Sequence, residues 1–163
     1  MFRDRESAEA AYAEATRRGY GEKDIDLVMS DDTRKRYFAD GTAETELGTK
    51  AAEGAGVGAG IGGAVGAIAA ALAAVGTSLA LPGLGLVIAG PLAAAAAGAG
   101  VGAASGGLIG ALVGWNMPEE RVKEYETSLR DGGIVMGVRT RDDADAEELH
   151  KYWINSRGEK VYM

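Results

Sequence analysis

The chain reads as an α+β protein, a small ferredoxin-like-type α/β domain interrupted by a long glycine-zipper α-helical hairpin. Three observations predict this. Apolar residues follow helical and strand periods in turn on both sides of a central segment. That segment, residues 54–118, carries no charged side chain, and its glycines recur every four residues in two series. The 163 residues accordingly divide into the first half of the α/β domain at 1–50, the glycine/alanine-rich hairpin at 51–117 and the second half at 118–163.

In the first half, Asp4 is placed to cap a helix over residues 5–18 whose Ala8, Ala11, Tyr12 and Ala15 share one face, and Gly19 and Gly21 end it. Asp24-Ile25-Asp26-Leu27-Val28-Met29-Ser30 then alternates. This puts Ile25, Leu27 and Met29 on the buried side of a strand that Asp31-Asp32 closes. Residues 31–50 are polar, with weak helical character toward 45–50, and form the approach to the insert.

In the second half, Pro118 suits a first helical position because proline needs no donor there, and Glu119 and Glu120 favour the positive end of the helix dipole. Val122, Tyr125 and Leu129 form the buried stripe, and Asp131-Gly132-Gly133 breaks the helix. Ile134-Val135-Met136-Gly137-Val138-Arg139-Thr140 is apolar enough for a central strand. Thr140 and Asp143 predict a capping box for a last helix over 141–154, burying Ala146, Leu149, Tyr152 and Trp153, with a short edge strand at 160–163. Neither half buries its apolar faces alone. The two are expected to close into one sheet with helices on one face, so that both ends of the insert emerge side by side.

Within the insert, 61 positions from 54 to 114 hold 18 Gly and 20 Ala. Gly54, Gly58, Gly62 and Gly66 form one series, and Gly98, Gly102, Gly106, Gly110 and Gly114 the other. Spacing by four is a helix face, and each glycine costs a solvated helix about 1 kcal/mol relative to alanine. The stripes therefore call for close helix contact, as in small-xxx-small packing and oligomerisation. Helices over 54–80 and 87–115 would be about 40 Å long, more than the ~30 Å core of a bilayer. Leu81, Pro82, Gly83, Leu84 and Gly85 form the expected hairpin turn, apolar where a solvated turn would be polar, and Trp115 is the candidate interfacial anchor.

Charge and composition exclude several function classes. Residues 1–53 carry 9 basic and 13 acidic side chains and residues 119–163 carry 8 and 11, so both flanks are acidic and a nucleic-acid partner is disfavoured. Arg34-Lys35-Arg36, the densest basic run, reads as a solvated face. With no Cys and one His there is no thiolate chemistry, no metal constellation and no served nucleophile, so neither a catalytic residue nor a cofactor is expected. The charged start of the chain lacks the apolar core of a secretory signal, and cytoplasmic synthesis is the expectation. Gly58-Ala59-Gly60-Ile61-Gly62-Gly63 fits a dinucleotide fingerprint in letters only, since no strand precedes it and no acidic residue follows. Asp142, Asp143, Asp145, Glu147 and Glu148 are explained by capping and the helix dipole, Glu119 and Glu120 diverge on their helix, and His150 reads as a partly exposed bystander.

Leu81-Pro82-Gly83-Leu84-Gly85, Ala89-Gly90-Pro91-Leu92, Gly106-Gly107, Gly110-Ala111-Leu112-Val113-Gly114, Pro118-Glu119-Glu120, Tyr125-Glu126 and Gly132-Gly133 together resemble bacterial general-stress and low-temperature-induced proteins. The resemblance implies a small α/β domain interrupted by a glycine-rich apolar segment, stress-linked expression and no established catalysis. It supplies no catalytic residue. The functional expectation is a non-enzymatic, stress-related structural protein. It forms a homo-oligomer through the glycine-zipper hairpin and is membrane-associated, at or in the inner membrane, with its acidic domain in the cytoplasm. The alternative is a soluble homo-oligomer or large particle whose core is built from the hairpins, without membrane insertion.

Overall fold

The computed structural model describes residues 1–38, 68, 79–81, 85–98 and 118–163. On the amino-terminal side the sequence pattern translates directly. The Asp4 carboxylate accepts Ser7 N–H at 2.8 Å and starts helix α1, Arg5–Arg17, which buries Ala8, Ala11, Tyr12 and Ala15. Strand β1, Ile25–Ser30, follows. Residues expected to be a polar approach instead form helix α2, Asp31–Phe38, immediately after β1. Its acidic first turn and basic last turn complement the dipole, and Lys35 pairs with Asp31 at 2.6 Å.

The central segment departs from expectation. Leu79–Leu81 forms strand β2, Leu86–Ala89 forms strand β3, and helix α3 spans Pro91–Gly98. Helix α4, Glu119–Arg130, strand β4, Ile134–Val138, and helix α5, Asp143–Asn155, complete the described elements. The sheet order is β2-β3-β1-β4, antiparallel at every pairing. β3 is thus an interior strand, with Val87 opposite Met29 and Ala89 opposite Leu27.

Strands at 79–81 and 86–89 replace the inner ends of the helices expected over 54–80 and 87–115, so the two cannot meet as a helical hairpin at this turn; residues 54–67, 69–78 and 99–115 lie outside the described residues. The turn at Leu81, Pro82, Gly83, Leu84 and Gly85 falls between two β-strands. Leu81 ends β2, and Gly85, at φ 62°, offers its carbonyl to Asp31 N–H at 2.7 Å. A four-residue apolar run with Val and Ile at its centre satisfies a strand buried on both faces as well as a helix. Gly85 before it and Gly90-Pro91 after it decide for the strand. Pro82, Gly83, Leu84, Trp115 and the series glycines Gly54, Gly58, Gly62, Gly66, Gly102, Gly106, Gly110 and Gly114 lie outside the described residues, and Gly98 ends α3. The domain is therefore not closed by its flanks alone, because two of its strands come from the insert.

Helices cover both faces of the sheet rather than one. Ile25, Leu27 and Met29 of β1, Val87 and Ala89 of β3 and Ile134 and Met136 of β4 face α1, α5, Phe38 and Ile68. Val28, Leu86, Ile88 and Val135 face Leu92 and Ala93 of α3 and Val122, Tyr125 and Leu129 of α4. That is why β1 is buried at every position from Ile25 to Met29 instead of alternating with solvent.

Two carboxy-terminal expectations also need correction. Asp142, not Thr140, caps α5, accepting Asp145 N–H at 2.8 Å. Residues 160–163 are not a strand, since Arg157 and Lys160 take positive φ (64° and 50°) and break the extended path. The adjoining Glu159 instead exchanges backbone hydrogen bonds with Met1 at 2.8 and 2.9 Å.

Candidate functional site

Two buried carboxylates attach the uncharged segment to the domain. A segment without charged side chains must still satisfy backbone N–H groups wherever it is buried, and the flanks supply the acceptors. Glu9 of α1, 3% exposed, accepts Ile68 N–H at 3.0 Å and pairs with Arg5 at 3.7 Å. Asp26 of β1, 2% exposed, accepts Leu92 N–H at 2.5 Å at the start of α3, with Arg139 at 3.9 Å from its other oxygen. Gly90 makes this approach possible. A Cβ there would stand 2.3 Å from Ile25 O and 2.8 Å from Asp26 Oδ1. The residues flanking the two glycine series lie against opposite sides of the sheet, Phe38 and Ile68 on the α1 side and Leu92, Ala93 and Val122 on the other.

A second feature is a groove of about 310 Å³ beside β4, bounded by α5 and residues 160–163. Its walls include Tyr125, Met136, Val138, Leu149, Trp153 and Tyr162. Tyr125 Oη donates to Lys160 O at 2.8 Å, and His150 Nε2 lies 3.2 Å from Val161 O, so α4 and α5 both hold the tail. Tyr125 and Tyr162 meet edge to face, and Arg121 stacks over Tyr162 at 4.2 Å. Burial pushes the Tyr125 phenol up to about 12. Burial likewise lowers the Met1 amine at one end of the groove to about 6, against the opposing pull of Glu159.

Met1 and Phe2 fill one end of the gap between β4 and the tail. Phe2 exchanges backbone hydrogen bonds with Ile134, each 2.8 Å, while Met1 bonds Glu159 on the other side. His150, a partly exposed bystander by sequence, and Tyr125 and Trp153, expected only as buried helix positions, all line the groove. Their convergence on the tail depends on positive φ at Arg157 and Lys160, which no local pattern announces.

Among the described residues no group of three His, Cys, Asp or Glu could hold a metal, and no helix is long and apolar enough to cross a membrane. Comparison with protein-family models, curated proteins and solved structures finds no match to this chain.

Proposed function

We propose that the protein is a non-enzymatic assembly protein in which a rigid α+β domain presents two glycine-spaced tracts, 54–66 and 98–114, for association with the same tracts of other copies. The observation that carries this reading is the uncharged segment with two series of glycines spaced by four, joined to the domain through Glu9 and Asp26. Glycine faces allow helix axes to approach closely, which favours contacts with another small-residue face over contacts with water. The residues flanking the two tracts sit on opposite sides of the sheet, which favours pairing between copies over pairing within one.

The strand order β2-β3-β1-β4 supports the ferredoxin-like reading of the sheet, to which this chain adds helices on the second face. A stress-related role rests on the residue resemblance alone. Membrane association rests on the apolar, uncharged composition of the tracts. With β2 and β3 in the sheet, such association would use each tract separately, not a hairpin tipped at Leu81 to Gly85.

Light scattering on the purified chain, with and without Gly62→Leu or Gly106→Leu, tests the assembly. The native particle should exceed monomer mass and the variants should fall toward it. Unchanged oligomer mass in both variants would sink the reading. Alkaline carbonate washing of membranes from expressing cells separates its two settings, retention marking membrane association and release a soluble particle.

A further inference from the structure

The antiparallel register fixes which backbone groups of β4 face outward. Arg139 N–H bonds Asp24 O at 2.9 Å, and Ile134 bonds Phe2, so by the alternation of an antiparallel ladder Ile134, Met136 and Val138 direct N–H and C=O away from β1. Phe2 satisfies Ile134. Among the described residues no partner takes the outward groups of Met136 and Val138, and both residues line the groove.

We propose that the groove beside β4 binds an extended polypeptide segment of a partner protein, which adds a strand antiparallel to β4 in line with Met1-Phe2. Two donor and acceptor pairs at two-residue spacing match an extended peptide backbone. Continuity comes from the Phe2 and Ile134 pairing, whose direction and register the added strand continues. Guest residues opposite Met136 and Val138 share their face and meet Leu149 and Trp153. The guest residue between them lies opposite Gly137, where no side chain competes, and turns toward Tyr125. The guest is therefore a segment with apolar side chains at alternate positions.

Edge-to-edge pairing with a second copy is a poorer fit. The tail, held by Tyr125 and His150, stands outside the β4 edge and leaves room for a single strand instead of a whole sheet. The inference is independent of the glycine tracts and stands or falls apart from the assembly reading.

The test is backbone amide hydrogen exchange by NMR on the full chain, with an end-blocked hexapeptide of alternating valine and threonine as probe. Exchange at Met136 and Val138 should slow at least tenfold as peptide is added. The same peptide N-methylated on the amides facing β4 should have no effect. Val138→Pro removes an outward donor at an edge position that tolerates proline. It should keep the native circular dichroism spectrum and lose the protection at Met136. Unchanged exchange at millimolar peptide, equal protection by the N-methylated peptide, or protection that grows with protein concentration without peptide would each overturn the proposal, the last by assigning the edge to a second copy.

Discussion

The Asp26 carboxylate accepts the Leu92 backbone N–H at 2.5 Å across 66 residues of chain, with Asp26 only 2% exposed. An acidic side chain in the middle of an interior strand costs desolvation unless it is fully employed. Here it serves as the capping acceptor for α3, whose Pro91 has no N–H to offer and whose second residue donates instead. One residue thereby ties β1 to the point where the uncharged segment leaves the sheet.

Asp26→Ala should accordingly destabilise the protein by about 2 kcal/mol, the combined effect of a lost cap and an unsatisfied buried donor. Urea unfolding followed by circular dichroism measures it. A loss below about 0.5 kcal/mol would show that Leu92 N–H finds another acceptor at no cost.

Gly90 and Gly132 offer a matched comparison. Both have positive φ, 98° and 92°, but a Cβ on Gly90 would meet Ile25 O at 2.3 Å whereas one on Gly132 finds only Thr33 Oγ1 at 3.7 Å. Gly132→Ala should cost about 1 kcal/mol from backbone strain. Gly90→Ala adds a clash with β1 and should cost at least about 3 kcal/mol or prevent folding. Equal thermal midpoints for the two variants would contradict the close approach of β3 to β1.

Where local period and local capping agreed, the fold was legible in the sequence. Ala8, Ala11, Tyr12 and Ala15 behind Asp4 could only be an amphipathic helix, and Ile25, Leu27 and Met29 point to one side as alternation requires. Leu86-Val87-Ile88-Ala89 was not legible, because a short run apolar at every position suits both periods. It also lies between two glycine series whose spacing of four suggests helices on either side. The second helical layer was hidden for a related reason: Asp26 made the other side of β1 look solvated, although its carboxylate is consumed by a backbone donor far along the chain. The groove was not legible either, since it forms where three segments meet around a tail with no repeating pattern.

Tyr20 links the end of α1 to the start of α5. Its hydroxyl donates to Asp145 Oδ2 at 2.6 Å and accepts Arg141 N–H at 3.2 Å, with the Arg141 guanidinium 4.8 Å from the ring centre. The Tyr20 hydrogen bond and then Arg141 hold the Asp145 carboxyl below its ordinary value of 3.8. A depressed acid adds stability that is present above its unfolded value and is lost as pH falls through the folded one. Tyr20→Phe should therefore unfold at lower temperature than the parent at pH 7, and the gap should narrow from pH 4 to pH 2. A gap independent of pH would remove the link to Asp145.

Tyr125 supplies the alkaline counterpart. Its buried phenol, 5% exposed, donates to Lys160 O and is pushed up to about 12 from an ordinary value of 10.0. The unfolded chain releases this proton first, so between pH 10 and 12 the folded state binds more protons and stability falls as pH rises. The stability tied to this proton is fully present below pH 10. Tyr125→Phe removes the hydrogen bond, at a cost of about 1 kcal/mol near neutrality, but it also removes this alkaline loss. Its stability curve should therefore cross that of the parent between pH 10 and 12. Urea melts at pH 8, 10 and 11.5 with absorbance at 295 nm follow both quantities, and the variant should lack the latest-titrating phenol. Parallel stability curves for the two proteins across that range would mean that the Tyr125 hydroxyl is open to water and does not seal the tail against α4.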